Sequence, residues 1–357
     1  MRLIDRYIMQ RFLAGLLPVM LLLLALFSFL ALGEELEDVG TGDFTLPDAF
    51  MVVFLTTPKR IIDLLPVTAL LGSLLGLGAM ANNRELTAIR ASGLSKRHIA
   101  LIVTLVAVVL AIIITIVQFM VVPRFEREAA HLHSKSLLGT EKEVDRSGAF
   151  WTRNGSYFIH VNEVKFNRTL SEIEIYAIDE DGRLSQLLHA ASADYLGDSS
   201  WLLRKVLHSE MERGQVQETI QPSLQWPNLL SAEQASVLIL PLQALAPNDL
   251  LKMIENLERN QLDTQEYEIA FWQQVSLLPG LLAMALLSLP FLLGSVRAVS
   301  ASQRVMIGGG IGIGFYLIQQ LSGHLAGLFA VSPAIALLAP PFVLLAVAIT
   351  AIRHRSL

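Results

Sequence analysis

The chain has 357 residues, 53% of them hydrophobic and only 17% charged, with a formal net charge of −5. Soluble domains carry about a quarter charged residues, so this composition and a mean hydropathy of +0.52 exclude an ordinary soluble protein. Cysteine is absent, which excludes a disulfide framework and a thiolate metal site.

Six apolar stretches reach the roughly 20 residues that a bilayer-crossing helix needs. They are Phe12–Leu32, Ile61–Ala81, Ile99–Val122, Phe271–Val296, Val305–Val331 and Pro333–Ile352. The first exceeds the ~7–15 apolar residues of a signal peptide, and acidic residues rather than small ones follow it. It is expected to be a retained span. Orientation follows from the basic residues of the short connections. Arg2, Arg6 and Arg11 precede span one, and Arg84, Arg90, Lys96 and Arg97 lie between spans two and three. Arg297 and Arg304 separate spans four and five, and Arg353 and Arg355 follow span six. If the spans alternate, all of these share one side, expected to be cytoplasmic, with both termini there. The first outer loop is acidic instead, with Glu34, Glu35, Glu37, Asp38, Asp43 and Asp48.

The stretch from Arg124 to Glu268 changes pattern, from apolar runs to alternation in Tyr157–Val161, Ile173–Ile178 and Trp201–Leu207. Asn154-Gly155, Asp181-Gly182 and Gly197-Asp198 are turn signals between such pieces. Short strands at this spacing predict an antiparallel sandwich or β-jellyroll outside the cytoplasm. Asn248 or Asp249 then caps a helix over Leu250–Asn260. The expected fold is a membrane α-helical protein of six transmembrane helices with an inserted antiparallel sandwich or jellyroll outside the cytoplasm. Its parts are spans one to three over 1–125, with a cytoplasmic helix about 82–92, the β domain and connecting helix over 126–265, and spans four to six over 266–357.

The chain has no Gly-x-x-x-x-Gly-Lys-Ser/Thr phosphate loop, no His-Glu-x-x-His and no Gly-x-Ser-x-Gly. His131 and His133, two apart on a helix, point different ways and make a poor metal clip; they read as a solvated pair. No basic patch interleaved with aromatics suggests nucleic acid. Neither a catalytic constellation nor a resident cofactor or metal is expected.

Several features remain that function would use. Gly308, Gly309, Gly310, Gly312, Gly314, Gly323 and Gly327 crowd span five, either for close helix packing or for a helix that slides as a gate. Gly72 and Gly76 in span two read as packing. Gln118, Gln319, Gln320 and His324 are polar residues at membrane depth. Lys59 and Arg60 precede span two at the outer surface, where positive charge suits an anionic lipid head group or phosphate, and Arg124 and Arg127 lie just outside span three. Between spans two and three, Asn82 or Asn83 can cap a short helix with Glu85 in its first turn, Leu86 and Ile89 on one face, Arg90 near its end, and Gly93 as a stop. A plain turn needs none of this. The pattern fits either an amphipathic loop helix resting on the bilayer or a coupling helix that docks into a groove on a cytoplasmic motor, Glu85 pairing with a basic residue there.

Leu3–Ile8, Pro58-Lys59, Ala69–Gly78, Arg84-Glu85-Leu86, Ala91–Ser95 and Ile173–Ile178 resemble the YjgP/YjgQ family of lipopolysaccharide export permeases, and the likeness runs through both membrane halves and the β domain. The Leu3–Ile8 opening and Gly314–Leu321 favour one of its two paralogous branches over the other, LptF. The resemblance implies a non-catalytic transporter subunit that pairs with LptF on a dimer of the ATPase LptB, with LptC attached at a lateral gate formed by spans one and five. It implies six transmembrane helices with an inserted periplasmic antiparallel β-jellyroll domain, and that lipopolysaccharide leaves the outer leaflet of the inner membrane and passes through that domain toward LptC and the LptA bridge, driven by ATP hydrolysed on the partner. Glu85 then matches the family's acidic docking residue and Lys59 a lysine near lipid phosphates. Phe27, Leu30, Leu64, Phe315, Ile318 and Leu321 are the expected lining of the lipid cavity and gate. The chain departs from relatives at Ala31, Glu37 and Asp38, and at Ala130 and His133, where lysines or other basic residues are expected. Divalent cations bridging the acidic loop to phosphates are one way to compensate. A membrane-anchored periplasmic scaffold or sensor without transport is the alternative function.

Overall fold

The computed structural model describes residues 3–137, 150–154, 156–164, 169–179, 183–197, 200–212, 215–227, 229, 242, 245–259, 263–293, 301–329 and 331–354. Arg2, Gly155, Asp181, Gly182, Asp198, Asn260, Arg297, Arg355 and the end of span four at 294–296 lie outside them. The chain divides into two units, Met1–Glu35 with Val53–Phe125 and Glu268–Leu357, and Leu36–Val52 with Glu126–Tyr267.

The first unit is helical. Its elements are α1 (Leu3–Leu36), most of α2 (Leu46–Asn82), the short α3 (Glu85–Ala91), α4 (Lys96–Met120), the start of α5 (Val122–Leu137), α7 (Gln265–Leu293), α8 (Ala301–Phe329) and α9 (Pro333–His354). Six of these, all but α3 and α5, are long and apolar enough to cross a membrane. They are apolar nearly all round, so their sequences do not mark a core face; packing decides it. In the most apolar windows 67% of α7 and 61% of α2 are buried, against 17% of α1, α8 and α9. Thus α2 and α7 form the centre and the other three lie around it. Ile8 and Phe12 of α1, Leu70 and Leu77 of α2, Ile99 and Val103 of α4, and Leu281 and Met284 of α7 share one buried cluster.

Glycine sets how closely two of these helices approach. A Cβ at Gly15 of α1 would run into the Gly72 carbonyl oxygen, and one at Gly76 into the Arg11 carbonyl oxygen. Small residues four apart let the backbones touch, as expected for Gly72 and Gly76. The glycines of α8 divide. Gly308 and Gly312 face Leu74 and Val67 of α2, whereas Gly309, Gly310 and Gly314 have open space on their side.

α2 begins 15 residues before the expected start of span two. Thr45 precedes it, and its backbone N–H and its hydroxyl both donate to the Asp48 carboxylate in the first turn, the reciprocal half of a capping box. Lys59 and Arg60 therefore stand inside a continuous helix and not in a connection preceding it, a correction to the placement expected from hydropathy alone.

The second unit contains one antiparallel sheet, with strands β1 (Phe150–Asn154), β2 (Tyr157–Val164), β3 (Thr169–Ile178), β4 (Leu184–Gly197), β5 (Ser200–Glu212) and β6 (Gln215–Pro227). Each strand pairs with the next in the chain, as a six-stranded meander. No Greek-key crossover occurs among the described strands, and several strands are longer than the alternating pieces suggested. Pairing is interrupted along one line across the sheet. Asn162, Glu172, Ala191, Lys205 and Pro222 drop out of the register in β2 to β6. Glu172 and Lys205 on that line both have φ of 51°, in the left-handed region. The inward side of each strand changes parity there: Leu170 but Ile173 and Ile175 in β3, Leu188 and Ala190 but Ala193 in β4, Leu203 but Val206 in β5. A one-residue slip would otherwise turn every apolar side chain outward. The crease keeps one apolar side continuous, with Trp201 fully buried on it near the β4–β5 turn.

Also in this unit, α6 (Pro247–Arg259) lies near the start of the β-unit part of α5, where Arg127 forms an ion pair with Asp249 at 3.1 Å. His133 is buried rather than solvated: its Nε2 lies 3.2 Å from an Asp38 carboxylate oxygen, and its ring lies against Phe44 at 5.1 Å. His131 is exposed.

Candidate functional site

The segment from Asn82 to His98 is where polar chemistry gathers in the helical unit. α3 begins at Arg84, whose φ of 59° makes the turn out of α2, and no side chain caps it. This corrects the expected Asn cap. Asn82 instead ends α2 and accepts a hydrogen bond from the Arg304 guanidinium of α8, and the Asn83 amide reaches Glu85 at 3.5 Å. Gly93, with φ of 97°, follows the C-cap and its N–H donates to the Arg90 carbonyl, so glycine stops the helix as expected. Ser95 caps α4 by accepting from the His98 N–H.

The faces of α3 differ. Leu86 is buried in the bundle cluster and Ile89 packs against it. Those two side chains hold α3 to the bundle and are not free to enter a partner's groove, which revises half of the expected docking set. Arg84, Thr87, Ala88 and Arg90 are exposed. Glu85 is half-buried, and one of its oxygens accepts from the Tyr7 hydroxyl of α1 at 2.8 Å. The Tyr7 oxygen in turn accepts from Arg11 Nε and Nη2 at 3.0 and 2.8 Å, with the guanidinium 5.0 Å above the tyrosine ring. Asp5 of α1 meets His98 Nε2 at 2.9 Å.

Basic residues toward the other end of α2 form a second group. Lys59 is half-buried, and an Arg60 guanidinium nitrogen donates to the Val53 carbonyl at 3.3 Å. One turn on from Lys59, on the same face, is the exposed carboxylate of Asp63, close enough for the two charges to interact. At 19 residues from Asn82, Asp63 stands about 28 Å along the helix, close to the ~30 Å depth of a bilayer's hydrocarbon. Sequence reasoning passed over Asp63; a lone carboxylate inside an apolar run was the signal that marks it. Arg124 is exposed, and Arg127 is held by Asp249.

The six residues expected to line a cavity do not behave as one set. Leu64 and Phe315 are buried, Phe315 against Gly280 of α7. Leu30, Ile318 and Leu321 are exposed, and Phe27 of α1 meets Tyr316 of α8 ring to edge at 6.4 Å. Exposed apolar residues run along α1 from Leu13 to Leu30 and along α8 from Met306 to Leu328. Among the polar residues at depth, Gln118 is buried, and Gln320 and His324 are exposed. The Gln319 amide donates to the Ser276 hydroxyl and to the Leu337 carbonyl, tying α8 to α7 and α9.

A multi-pass bundle with a short helix and basic residues between its second and third spans, and an antiparallel β unit inserted after the third, is a narrow description. The family model of the lipopolysaccharide export system permease LptF/LptG matches residues 6–354. The chain belongs to the LptF/LptG family. Among curated relatives, the LptG lipopolysaccharide export permease of Haemophilus influenzae is 29% identical over 333 residues, covering 93% of this chain and 92% of its own. LptG of Escherichia coli K12 is 28% identical over 339 residues, covering 94% of each. Both are LptG proteins, the branch that Leu3–Ile8 and Gly314–Leu321 favoured over LptF. Family membership makes the chain a permease-type membrane subunit of lipopolysaccharide export.

Proposed function

We propose that the chain is one of two permease subunits of an ATP-driven exporter in the inner membrane of a Gram-negative bacterium, with both termini and α3 cytoplasmic and the β unit periplasmic. Lipopolysaccharide enters from the outer leaflet between this chain and LptF, and an LptB dimer bound at α3 supplies the ATP hydrolysis. The lipid leaves through the β unit toward LptC and LptA. The observation that carries this reading is α3 itself. It is fastened inward by Leu86 and Ile89 and turns Thr87 and Arg90 outward, so force applied to that face goes into the bundle instead of deforming a loop.

The exposed apolar rows of α1 and α8 support a lipid-contacting role. Burying acyl chains against them yields roughly 0.8 kcal/mol per methylene, enough to compete with the bilayer. In this reading Phe27, Leu30, Ile318 and Leu321 touch the lipid, whereas Leu64 and Phe315 shape the wall from behind. Lys59, Arg60 and Arg124 face the head-group phosphates, and Asp63 beside Lys59 limits how much net positive charge they present.

The test is release of lipopolysaccharide from vesicles containing the assembled complex, with and without ATP. ATP-dependent release, lost together with LptB binding in Arg90→Glu, is expected. ATP-independent release, or a partner bound by the β unit with no release at all, overturns the reading, the latter in favour of a scaffold.

A further inference from the structure

The docking segment holds on to more than the helices it connects. The segment takes in the end of α2, all of α3 and the start of α4, and its side-chain links reach helices outside that run. Glu85 is bonded to Tyr7 of α1, His98 to Asp5 of α1, and Asn82 to Arg304 of α8. Apolar contacts follow the same route, since Ile8 and Phe12 of α1 are fully buried in the cluster that holds Leu86, Met80 and Ile99. The Tyr7–Glu85 contact is a hydroxyl on a carboxylate, steadied by the Arg11 guanidinium on the same hydroxyl oxygen. Hydrogen bonds to charged groups of this kind are the strong and directional ones. Arg304 is buried, and Asn82 accepts one of its N–H groups at the point where α2 ends.

α1 and α8 are also two of the least enclosed membrane helices, with 17% of their apolar windows buried, and they touch each other through Phe27 and Tyr316. A helix packed on few sides can shift with little repacking, whereas the enclosed lengths of α2 and α7 cannot move without opening the core; Asn82 is the exposed last residue of α2 and lies at its end. From these contacts we infer that the 82–98 segment is a distributor: Tyr7 and Asp5 are positioning residues that pass its movement to α1, and Asn82 with Arg304 passes it to α8. The two lipid-facing helices therefore move together when α3 is displaced. α1 follows as a lever about its glycine contact with α2, because Gly15 sits on Gly72 and Gly76 farther along the same helix. This inference rests on the functional reading above, in which α3 is the part that a motor moves.

The experiment uses the complete complex in vesicles containing lipopolysaccharide, and reads LptB retention, ATP hydrolysis and lipid released per ATP. Tyr7→Phe keeps the ring in place and removes only the hydroxyl. LptB retention and ATP hydrolysis should match the unaltered chain, while lipid released per ATP falls roughly tenfold to a hundredfold, the worth of one charge-assisted hydrogen bond. Unchanged release per ATP overturns the inference, as does loss of LptB, which would make Tyr7 part of the docking surface. A second arm exchanges the other pair. Asp5→His alone should uncouple release from hydrolysis, and adding His98→Asp should restore it; a merely structural role for Asp5 predicts no such rescue, and its absence overturns the link. Failure of the functional reading shows separately, because the unaltered complex would then release lipid without ATP.

Discussion

The two units solve opposite burial problems. The β unit turns its apolar side chains inward around Trp201, Ile173 and Leu188, so each strand has one wet side and one dry side. The helical unit leaves Leu17, Leu22, Phe29, Ile313, Leu317 and Leu328 facing out, and places its charged contacts at the ends of helices. In water the first arrangement is driven by apolar burial. In a bilayer that drive is missing between helices, and close packing with a few hydrogen bonds takes over. The stability of one unit should therefore respond to lost volume, and that of the other to lost fit between backbones.

The largest expected effect tests fit. Gly15→Leu puts a branched side chain where the Gly72 carbonyl and the Gly76 backbone lie. Backbone cannot give way as a side-chain tip can, so the α1–α2 contact should open at a cost above the ~1–3 kcal/mol of ordinary overpacking. Thermal unfolding in detergent should show early loss of helix with the β unit's own transition unchanged. A common shift of both transitions would mean that the units are not independent.

Volume is tested by Trp201→Ala. The indole is fully buried beside Tyr195, at 5.2 Å between rings. Removing it should cost about 3–5 kcal/mol and lower the sheet transition without affecting the helical one. An effect below about 1 kcal/mol would show that the sheet collapses around the gap.

How much of this was readable beforehand also divides by unit. The six spans were legible because each is an apolar run of sufficient length, and β2 and β3 were legible because Tyr157–Val161 and Ile173–Ile178 alternate cleanly. The start of α2 was missed because hydropathy registers the apolar run at Ile61, whereas the helix is set by Thr45 and Asp48. The faces of α3 were half legible: the spacing of Leu86 and Ile89 puts them together but does not say whether core or partner receives them. His133 was misread because its partner, Asp38, is 95 residues away and nothing local announces it. The pairing of Tyr7 with Glu85, 78 residues apart, was hidden for the same reason. Trp201–Leu207 alternates poorly because Lys205 sits on the crease, where the inward side changes parity.

The crease offers a smaller, opposite effect. Glu172 and Lys205 adopt a left-handed backbone that costs an ordinary residue about 1–2 kcal/mol. Glu172→Gly and Lys205→Gly relieve it and lose some of the gain to chain entropy, so each should stabilise the sheet by about 0.5–1 kcal/mol. Destabilisation by both would mean that their side chains, and not the backbone bend, hold the crease.

The smallest expected effect concerns the wet side of the same sheet. Tyr176 donates to the Glu174 carboxylate at 2.6 Å, and this bond, with partial burial and the carboxylate's charge, raises the phenol above its ordinary value. Glu174 also lies beside His160, which stacks with Tyr176 on Trp151. A phenol pKa raised on folding adds stability that is fully present below the unfolded value of about 10 and is lost as pH rises through the folded one. The sheet should therefore weaken only in strongly alkaline solution, and the phenolate absorbance that Tyr176→Phe removes should titrate late. Glu174→Gln removes the acceptor charge, so that tyrosine should move back toward its ordinary value while Trp201 and the buried side remain as they are. If Tyr176 itself, identified by the absorbance that Tyr176→Phe removes, still titrates late in Glu174→Gln, the shift belongs to burial, and the wet side of the sheet is nearer to the dry one than its exposure suggests.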